Sequence, residues 1–411
     1  MDNKDVQKSV DGYDWVIYLA GDWGQFYHSL LIQELAQRLP QSRFLCVARP
    51  MCLLTGLLRR PREFFTWLER PGQITVLEKN LLYVRPGVLV HDHLAGFIPL
   101  ARQINWHWLR HQLRAAVARA ELRWGHLIAL IYDPFQLEYL NLVEESLSIY
   151  NCYDEYAAGP GIPCVRTRNQ VLKREQAIFK QIDLVFVVSE ILRSRVERMH
   201  HRVYVVPNGV DARHFGQVAD PTMEVAPVMV GVPHPIVGYL GNITPRIDFG
   251  LIKHLAASYP EWAVVLVGRM SQAGFSIPKS LASLPNVHYL GSISYETLPS
   301  YLKAFDVCII PYVTDDPVNI SCSPLKLYEY LAIGKPIVST DLPAVRPFKG
   351  LVRIAENVAE FGHQVKAALE ERDEDLLQRR LTAARENSWE QRAESILEIL
   401  ASVLPESGLE R

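Results

Sequence analysis

The sequence predicts an α/β protein of two successive halves, each a mostly parallel sheet with helices on both faces. Three observations lead there. Short apolar runs of strand length alternate with helix-patterned segments through both halves. From Gly216 to Pro235 the periodicity lapses into turn residues, and then the alternation begins again. A helix marked at both ends, running from Ser323 to Pro336, separates two apolar runs. Length agrees, since 411 residues suffice for two domains that each bury a core.

The first half opens on a predicted strand at Trp15–Ala20, the loop Gly21-Asp22-Trp23-Gly24 and a helix through Leu39. Further strands are expected at Arg43–Ala48, Leu81–Arg85, Ile128–Tyr132, Ser148–Asn151, Leu184–Val188 and Val203–Val206. Helical patterns fall at Ala101–Trp124, Gln170–Phe179 and Ser189–Met199. Next comes Pro207-Asn208-Gly209-Val210-Asp211, where Asn-Gly signals a tight turn. In the second half, strands are expected at Ile236–Leu240, Ala263–Val267 and Val287–Leu290, with helices at Phe249–Ser258 and Tyr295–Lys303. Phe305–Pro311 and Pro336–Thr340 are the strands on either side of the marked helix. The tail from Val358 to Leu404, rich in Glu, Arg, Ala and Leu, reads as long surface helices broken near Asn387.

Composition narrows the function. Apolar residues make up 49% and charged residues 21%, the balance of a globular protein. Lys plus Arg number 43 against 45 Asp plus Glu, which argues against a nucleic-acid binder. Cys46, Cys52, Cys152, Cys164, Cys308 and Cys322 form no Cys-x-x-Cys pair and read as buried free thiols. The start, Met1-Asp2-Asn3-Lys4-Asp5, lacks a signal-peptide pattern, and no apolar run reaches the roughly 20 residues that span a bilayer. A cytoplasmic location is the expectation.

The marked helix carries the clearest chemistry. Ser323 suits the N-cap, Pro324 the first helical position and Gly334 the left-handed stop, while Pro336 prevents continuation. A helix start beyond the carboxyl end of a parallel strand is where such folds bind phosphates. Lys326 adds a cation there, and Glu329 lies about one turn on. The pattern can hold a diphosphate at one end and sugar hydroxyls at the other. Gly241, ending Gly238-Tyr239-Leu240-Gly241, permits close approach of a backbone or a ligand. Arg246 is either a phosphate clamp or a surface arginine beside a turn. Asp315-Asp316 is the nearest metal-like pair and reads as a solvated loop, so neither metal nor cofactor is expected.

Taken in order, Pro207–Asp211, Gly238–Gly241 and Ser323–Pro336 with Ser339-Thr340 resemble the GT-B glycosyltransferases, specifically the retaining family 4. In the first half the resemblance is looser, resting on Tyr153-Asp154-Glu155-Tyr156 and Leu184–Ser189. It implies two Rossmann-like domains facing a cleft. Residues 1–215 would form the acceptor domain, 216–235 a linker, 236–385 the nucleotide-sugar domain, and 386–411 a helical tail packing back on the first domain. Glu329 matches the second Glu of the family's Glu-x7-Glu motif, which typically binds the donor ribose. Ser321 stands where the first Glu belongs, and Asn242 replaces the usual Arg after the loop glycine. The donor set implied is Gly241, Arg246, Ser323, Leu325, Lys326 and Glu329.

For the acceptor, the resemblance points to the first domain. Asp133, ahead of Pro134, takes a position that family members give to a polar catalytic residue; it is a base or acceptor anchor, or else a helix cap. Gly21, Asp22 and Gly24 would bring backbone N–H groups to a substrate, and Asp154 with Glu155 would touch acceptor hydroxyls. His91 and His93 read as surface histidines. Arg102, Arg110, Arg114, Arg119 and Arg123 interleave with Trp106, Trp108 and Trp124, against Glu121 alone. Upstream, Arg59, Arg60 and Arg62 mix with Leu57, Leu58, Phe64, Phe65 and Trp67. These segments suit either an anionic membrane surface or ordinary amphipathic helices. The activity implied is sugar transfer from a nucleoside diphosphate to a hydroxyl, with retention, in surface polysaccharide or glycolipid synthesis. Alternatives are a sugar-nucleotide epimerase or hydrolase, or a catalytically silent binding protein, which Ser321 keeps open.

Overall fold

The computed structural model describes residues 3–53, 55–56, 61–90, 98–159, 165–270 and 275–404. The chain divides into a first unit, up to Pro207 and again from Arg392, and a second unit, Asn208–Gln391.

In the first unit the strands are β1 (Asp14–Tyr18), β2 (Phe44–Val47), β3 (Met51–Cys52), β4 (Ile74–Glu78), β5 (Leu81–Val84), β6 (Gly87–Val88), β7 (Leu127–Ile131), β8 (Leu147–Cys152), β9 (Leu184–Val187) and β10 (Val203–Val205). Eight of them form one sheet in the order β10-β9-β8-β7-β1-β2-β5-β4, while β3 pairs with β6 apart. Every pairing in the large sheet is parallel except β4 with β5. Helices on both faces leave β1, β2, β7, β8 and β9 buried along their whole length, which is why β2, β7 and β9 read as unbroken apolar runs and β1 and β8 as mainly apolar ones. The edge strand β4 is largely exposed and mixed in character, so sequence periodicity passes over it.

The second unit holds β11 (Ile236–Leu240), β12 (Ala263–Val267), β13 (Val287–Gly291), β14 (Val307–Ile310), β15 (Ile337–Thr340) and β16 (Arg353–Ala355). They form a fully parallel sheet in the order β13-β12-β11-β14-β15-β16. Chain direction across the sheet reverses between β11 and β14, and in the first unit between β1 and β7. Loops leaving the carboxyl ends of two such strands diverge, and the gap between them is the natural ligand crevice of this architecture.

Two expected boundaries move. Residues 216–235 are not a linker. They include the short helix Pro227–Val230, and Val218, Ala226, Met229 and Val232 are buried in the second core. Their turn residues space small elements that bury some apolar side chains and leave Val228 and Val230 exposed. The crossings lie instead at Pro207/Asn208 and Gln391/Arg392. The tail forms three helices, Val358–Leu369, Glu374–Glu386 and Trp389–Val403, the second ending at the C-cap Asn387. From Arg392 the last helix groups with the first unit.

Gly238 shows how closely the second core is packed. A Cβ there would lie 2.1 Å from the Phe305 ring. Gly238→Ala should therefore lower the stability of the second unit by roughly 1–3 kcal/mol. Chemical denaturation would show this as an earlier unfolding midpoint; an unmoved midpoint would mean that the ring can step aside.

Candidate active site

The crevice of the second unit gathers most of the expected donor residues. β11 ends at Gly241, whose φ of +137° an L side chain rarely adopts. Gly268, after β12, has φ +145°, and a Cβ on it would fall 1.9 Å from the Gly241 carbonyl oxygen. The two glycines thus let the β11 and β12 loops touch backbone to backbone. On the other side of Gly241 lies Lys326, whose Cε is 3.0 Å from where a Gly241 Cβ would be.

Lys326 stands on the helix Leu325–Ala332, which packs through the buried Leu327, Tyr328, Tyr330 and Leu331. Its far end is as expected: Gly334 takes φ +70° and donates its N–H to Leu331 O at 3.0 Å. The near end differs. Pro324, not Ser323, is the N-cap residue, and no side chain caps the helix. The Ser323 hydroxyl accepts from Asn208 N at 3.2 Å and shares a hydrogen bond with Tyr328 OH at 3.0 Å. Asn208 Nδ2 also donates to Ser323 O at 2.7 Å. Tertiary partners have therefore taken the oxygen that local sequence assigns to capping. Among the described residues, nothing accepts from the N–H groups of Leu325 and Lys326.

The Lys326 side chain is 7% exposed. Its ammonium donates to Tyr312 OH and lies 4.4 Å from the Tyr312 ring centre and 5.1 Å from that of Tyr239. Among the described residues, no carboxylate comes within ion-pair distance of it. Arg246 joins the same group, its guanidinium carbon 5.8 Å from the Tyr312 ring centre. Asn319 fixes that loop by donating to the carbonyls of Arg246 and Val313 at 3.0 and 2.9 Å. Asn242 accepts from Arg269 Nε at 3.3 Å, so a cation stands beside the position where family members carry arginine. Arg269 follows β12 and lies outside any motif, so no sequence signal marks it.

Glu329 is partly buried, and desolvation pushes its carboxyl up to about 7, with the Lys326 charge pulling the other way. Near it is Tyr295, whose hydroxyl is pushed up by burial first and then by Asp211 and Glu329. The His214 ring stacks on Tyr295 with centres 4.6 Å apart. Neither aromatic residue belongs to a recognisable motif. Ser321 is buried and turns its hydroxyl back to Pro317 O at 2.8 Å, so this position offers no group resembling a carboxylate. Asp316 is no metal ligand pair with Asp315. It caps the helix Pro317–Ser321 by accepting from Val318 N and Asn319 N. Among the described residues no cluster suits a metal ion.

In the first unit, the loops after β1 and β7 are tied together by Gln136. Its Nε2 donates to Tyr18 O and Leu19 O, and its Oε1 accepts from Tyr132 N and Asp133 N. Asp133 accepts from Phe135 N at 2.8 Å and pairs with Arg49 at 3.2 Å, completing a capping box for residues 134–139. The capping alternative left open by the sequence is the role these contacts give it. Asp22 pairs with Arg85, beside Gly21 and Gly24. Asp154 accepts from Glu155 N at 2.9 Å, while Glu155 pairs with Arg195 at 3.2 Å. An aromatic group of Phe26, Tyr27, His28, Tyr132 and Tyr153 fills the same strand ends, with the His28 and Tyr27 rings 4.3 Å apart. His91 and His93 lie outside the described residues.

This geometry has relatives. Residues 234–371 match the family described as Glycosyl transferases group 1. A Bacillus subtilis (strain 168) protein, provisionally named teichuronic acid biosynthesis glycosyltransferase TuaH, is 32% identical over 204 residues. That match covers 48% of this chain and 51% of the relative, about half the length of each. Sucrose-phosphate synthase (tll1590) from Thermosynechococcus elongatus superposes with a TM-score of 0.66 at 13% identity, over 95% of this chain and 99% of that one. Anabaena Alr3699/HepE in complex with UDP gives 0.62 at 14% identity, over 95% and 100%. A UDP-forming trehalose-phosphate synthase from Burkholderia xenovorans gives 0.65 at 12%, over 96% and 100%. The fold is therefore GT-B, with two Rossmann-like domains.

The raised carboxyl of Glu329 has a consequence for stability. An acid whose folded pKa exceeds its unfolded one stabilises the fold below the unfolded value, and that contribution is lost as pH rises through the folded value. Wild-type stability should thus fall across the window from 4.5 to about 7, and Glu329→Gln should flatten that stretch of the profile. Denaturant midpoints measured across the window check this; identical slopes in both proteins would remove the assignment.

Proposed function

We propose that this protein is a glycosyltransferase that moves a sugar from a nucleoside diphosphate donor to a hydroxyl acceptor, with retention at the anomeric carbon. The observation that carries the reading is the buried Lys326 ammonium, which among the described residues has no carboxylate within ion-pair distance and stands beside the open N–H groups of Leu325 and Lys326. A buried cation whose partners are a hydroxyl and two ring faces is only partly compensated, so the site favours an anion. In the reaction, the bond between the sugar C1 and the phosphate oxygen breaks, and the acceptor oxygen bonds to C1. The acceptor proton leaves with the diphosphate or a nearby base. Lys326, Arg246 and the helix amides stabilise the charge growing on the leaving group, so the chain's own groups suffice without a metal. Glu329 receives the ribose hydroxyls. The group 1 match over residues 234–371, the likeness to TuaH and the GT-B fold support this reading. TuaH's name favours a surface polysaccharide as the product, and the UDP bound by HepE favours a uridine donor. The first unit, with Asp22, Asp133 and Asp154 at its strand ends, receives the acceptor.

Isothermal titration with UDP, GDP and ADP should give measurable binding for one of them, with about tenfold weaker binding in Lys326→Met and in Glu329→Ala. Asp315→Ala should bind like wild type. Equal affinity of the Glu329→Ala and wild-type proteins would withdraw the ribose assignment. Release of free sugar without any acceptor would favour a hydrolase or epimerase instead.

We also propose that the first unit rests on an anionic membrane surface. On the helix Pro61–Glu69, Phe65 is 55% and Leu68 51% exposed, with Arg62 one turn before. On Pro99–Arg119, Leu100 is 66% and Trp108 44% exposed. Both helices pack on Gly87, through the Trp67 ring and through Gln112, so they are neighbours. Among the described residues no helix is long and apolar enough to cross a membrane, which leaves surface contact as the mode considered. Flotation with phosphatidylglycerol-containing vesicles at low salt should carry the protein, and the double variant Phe65→Ser, Trp108→Ser should stay behind. Failure of the wild type to float ends the proposal.

A further inference from the structure

We propose that Asn208 keeps the anion site open by holding the Ser323 hydroxyl away from the helix it precedes; the inference rests on the donor reading above. Serine directly before a helix is among the strongest caps, because its oxygen accepts the first-turn N–H groups. Those are the same groups a diphosphate needs. A Ser323 that capped Leu325–Ala332 would be an internal competitor of the donor.

The structure holds that competitor off from two sides. Asn208 N donates to Ser323 Oγ at 3.2 Å, and Tyr328 OH, itself on the helix, meets the same oxygen at 3.0 Å. Asn208 Nδ2 grips the Ser323 carbonyl at 2.7 Å, which fixes the peptide as well as the side chain. Pro324 accordingly keeps an extended conformation, φ −70° and ψ 117°, and the helix begins only at Leu325. Were Ser323 to cap, Pro324 would take the first helical position, for which its fixed φ is suited. The sequence carries a complete start signal that the fold declines to use. A second feature of the same place calls for a ligand: the buried ammonium of Lys326, in the first turn, has no carboxylate partner among the described residues.

Asn208 itself is buried and is anchored by its surroundings. Gly209 lies against Ser388 and the Trp389 ring, where a Cβ would find atoms at 3.0 Å. Val210 N donates to Asn387 O and Trp389 N to Val210 O. The Pro-Asn-Gly-Val-Asp turn is thus stitched to a second segment, so Asn208 is a fixed post rather than a loose loop residue. It is a positioning residue: it acts on the donor through Ser323.

The test is a cycle of Asn208→Ala, Ser323→Ala and the double variant. Two readouts are taken: titration with UDP, GDP and ADP, and hydrogen exchange of the peptide covering residues 323–332. Asn208→Ala removes the Nδ2 grip on the Ser323 carbonyl and leaves the backbone N–H of residue 208 in place, so the freed Ser323 peptide should turn its hydroxyl to the helix, weakening the bound nucleotide by about fivefold and slowing exchange in the first helical turn. In the Ser323→Ala background, adding Asn208→Ala should change neither readout, because the competing hydroxyl is gone. If Asn208→Ala leaves affinity unaltered, speeds exchange, or weakens binding equally in both backgrounds, Asn208 is only a structural support and the inference falls. Should Asn208→Ala not fold, Tyr328→Phe removes the other hold and should give the same pattern at smaller amplitude. Exchange requires no ligand, so it decides the capping even if wild type binds none of the three nucleotides, a result that would retire the donor reading instead.

Discussion

The second unit is organised around a buried ammonium group that, among the described residues, has no carboxylate within ion-pair distance. Lys326 reaches its place only because Gly241 has no side chain and because Tyr239 and Tyr312 offer ring faces on which its charge can rest. Cation–π contacts of this kind recover part of the lost hydration, and one hydroxyl hydrogen bond recovers a little more. The remainder is a standing electrostatic demand. It ties together features that otherwise look unrelated: the positive φ of Gly241, the contact of Gly241 with Gly268, the pair of tyrosines and the uncapped helix start.

Topology explains why that demand arises where it does. In both units the chain leaves the middle of a parallel sheet in opposite directions, so two loops part and a crevice opens at the carboxyl ends. The units use this gap differently. In the first, Gln136 spans it with four hydrogen bonds to backbone groups, and Asp133 closes a capping box beside it. Its polar groups are largely satisfied by one another. In the second, cations and N–H groups face the gap with too few acceptors. The proposed anion site thus falls at the crevice whose donors are less fully paired.

Much of this was legible in the sequence, for identifiable reasons. Strands buried on both faces declare themselves as mainly apolar runs, so β1, β7, β11 and β12 were plain, while the exposed edge β4 was not. Glycine and proline punctuation located the helix ending at Gly334, because left-handed φ is a local property. Its start was misassigned because capping depends on which acceptor wins, and Asn208, 115 positions away, won Ser323. The same limit hid Arg269, His214 and Tyr295, whose placement comes from contacts distant in sequence rather than from spacing. The stretch 216–235 misled in the opposite sense. Turn residues there connect short packed elements, and composition alone does not distinguish those from a tether.

The departures from the family pattern are coherent when treated as charge rather than as missing letters. Ser321 removes a carboxylate and Asn242 removes a guanidinium, so the two losses cancel in net charge. Had the carboxylate been kept without the arginine, the first-turn amides would face a negative neighbour and the anion would be repelled. Instead Arg269 reaches Asn242 from the adjacent strand loop, exposed to solvent, while the buried position holds the single charge of Lys326. Buried charge is costly and exposed charge is cheap. The gradation follows that rule: the deepest cation stands at the helix start, Arg246 is half-buried beside Tyr312, and Arg269 lies in solvent.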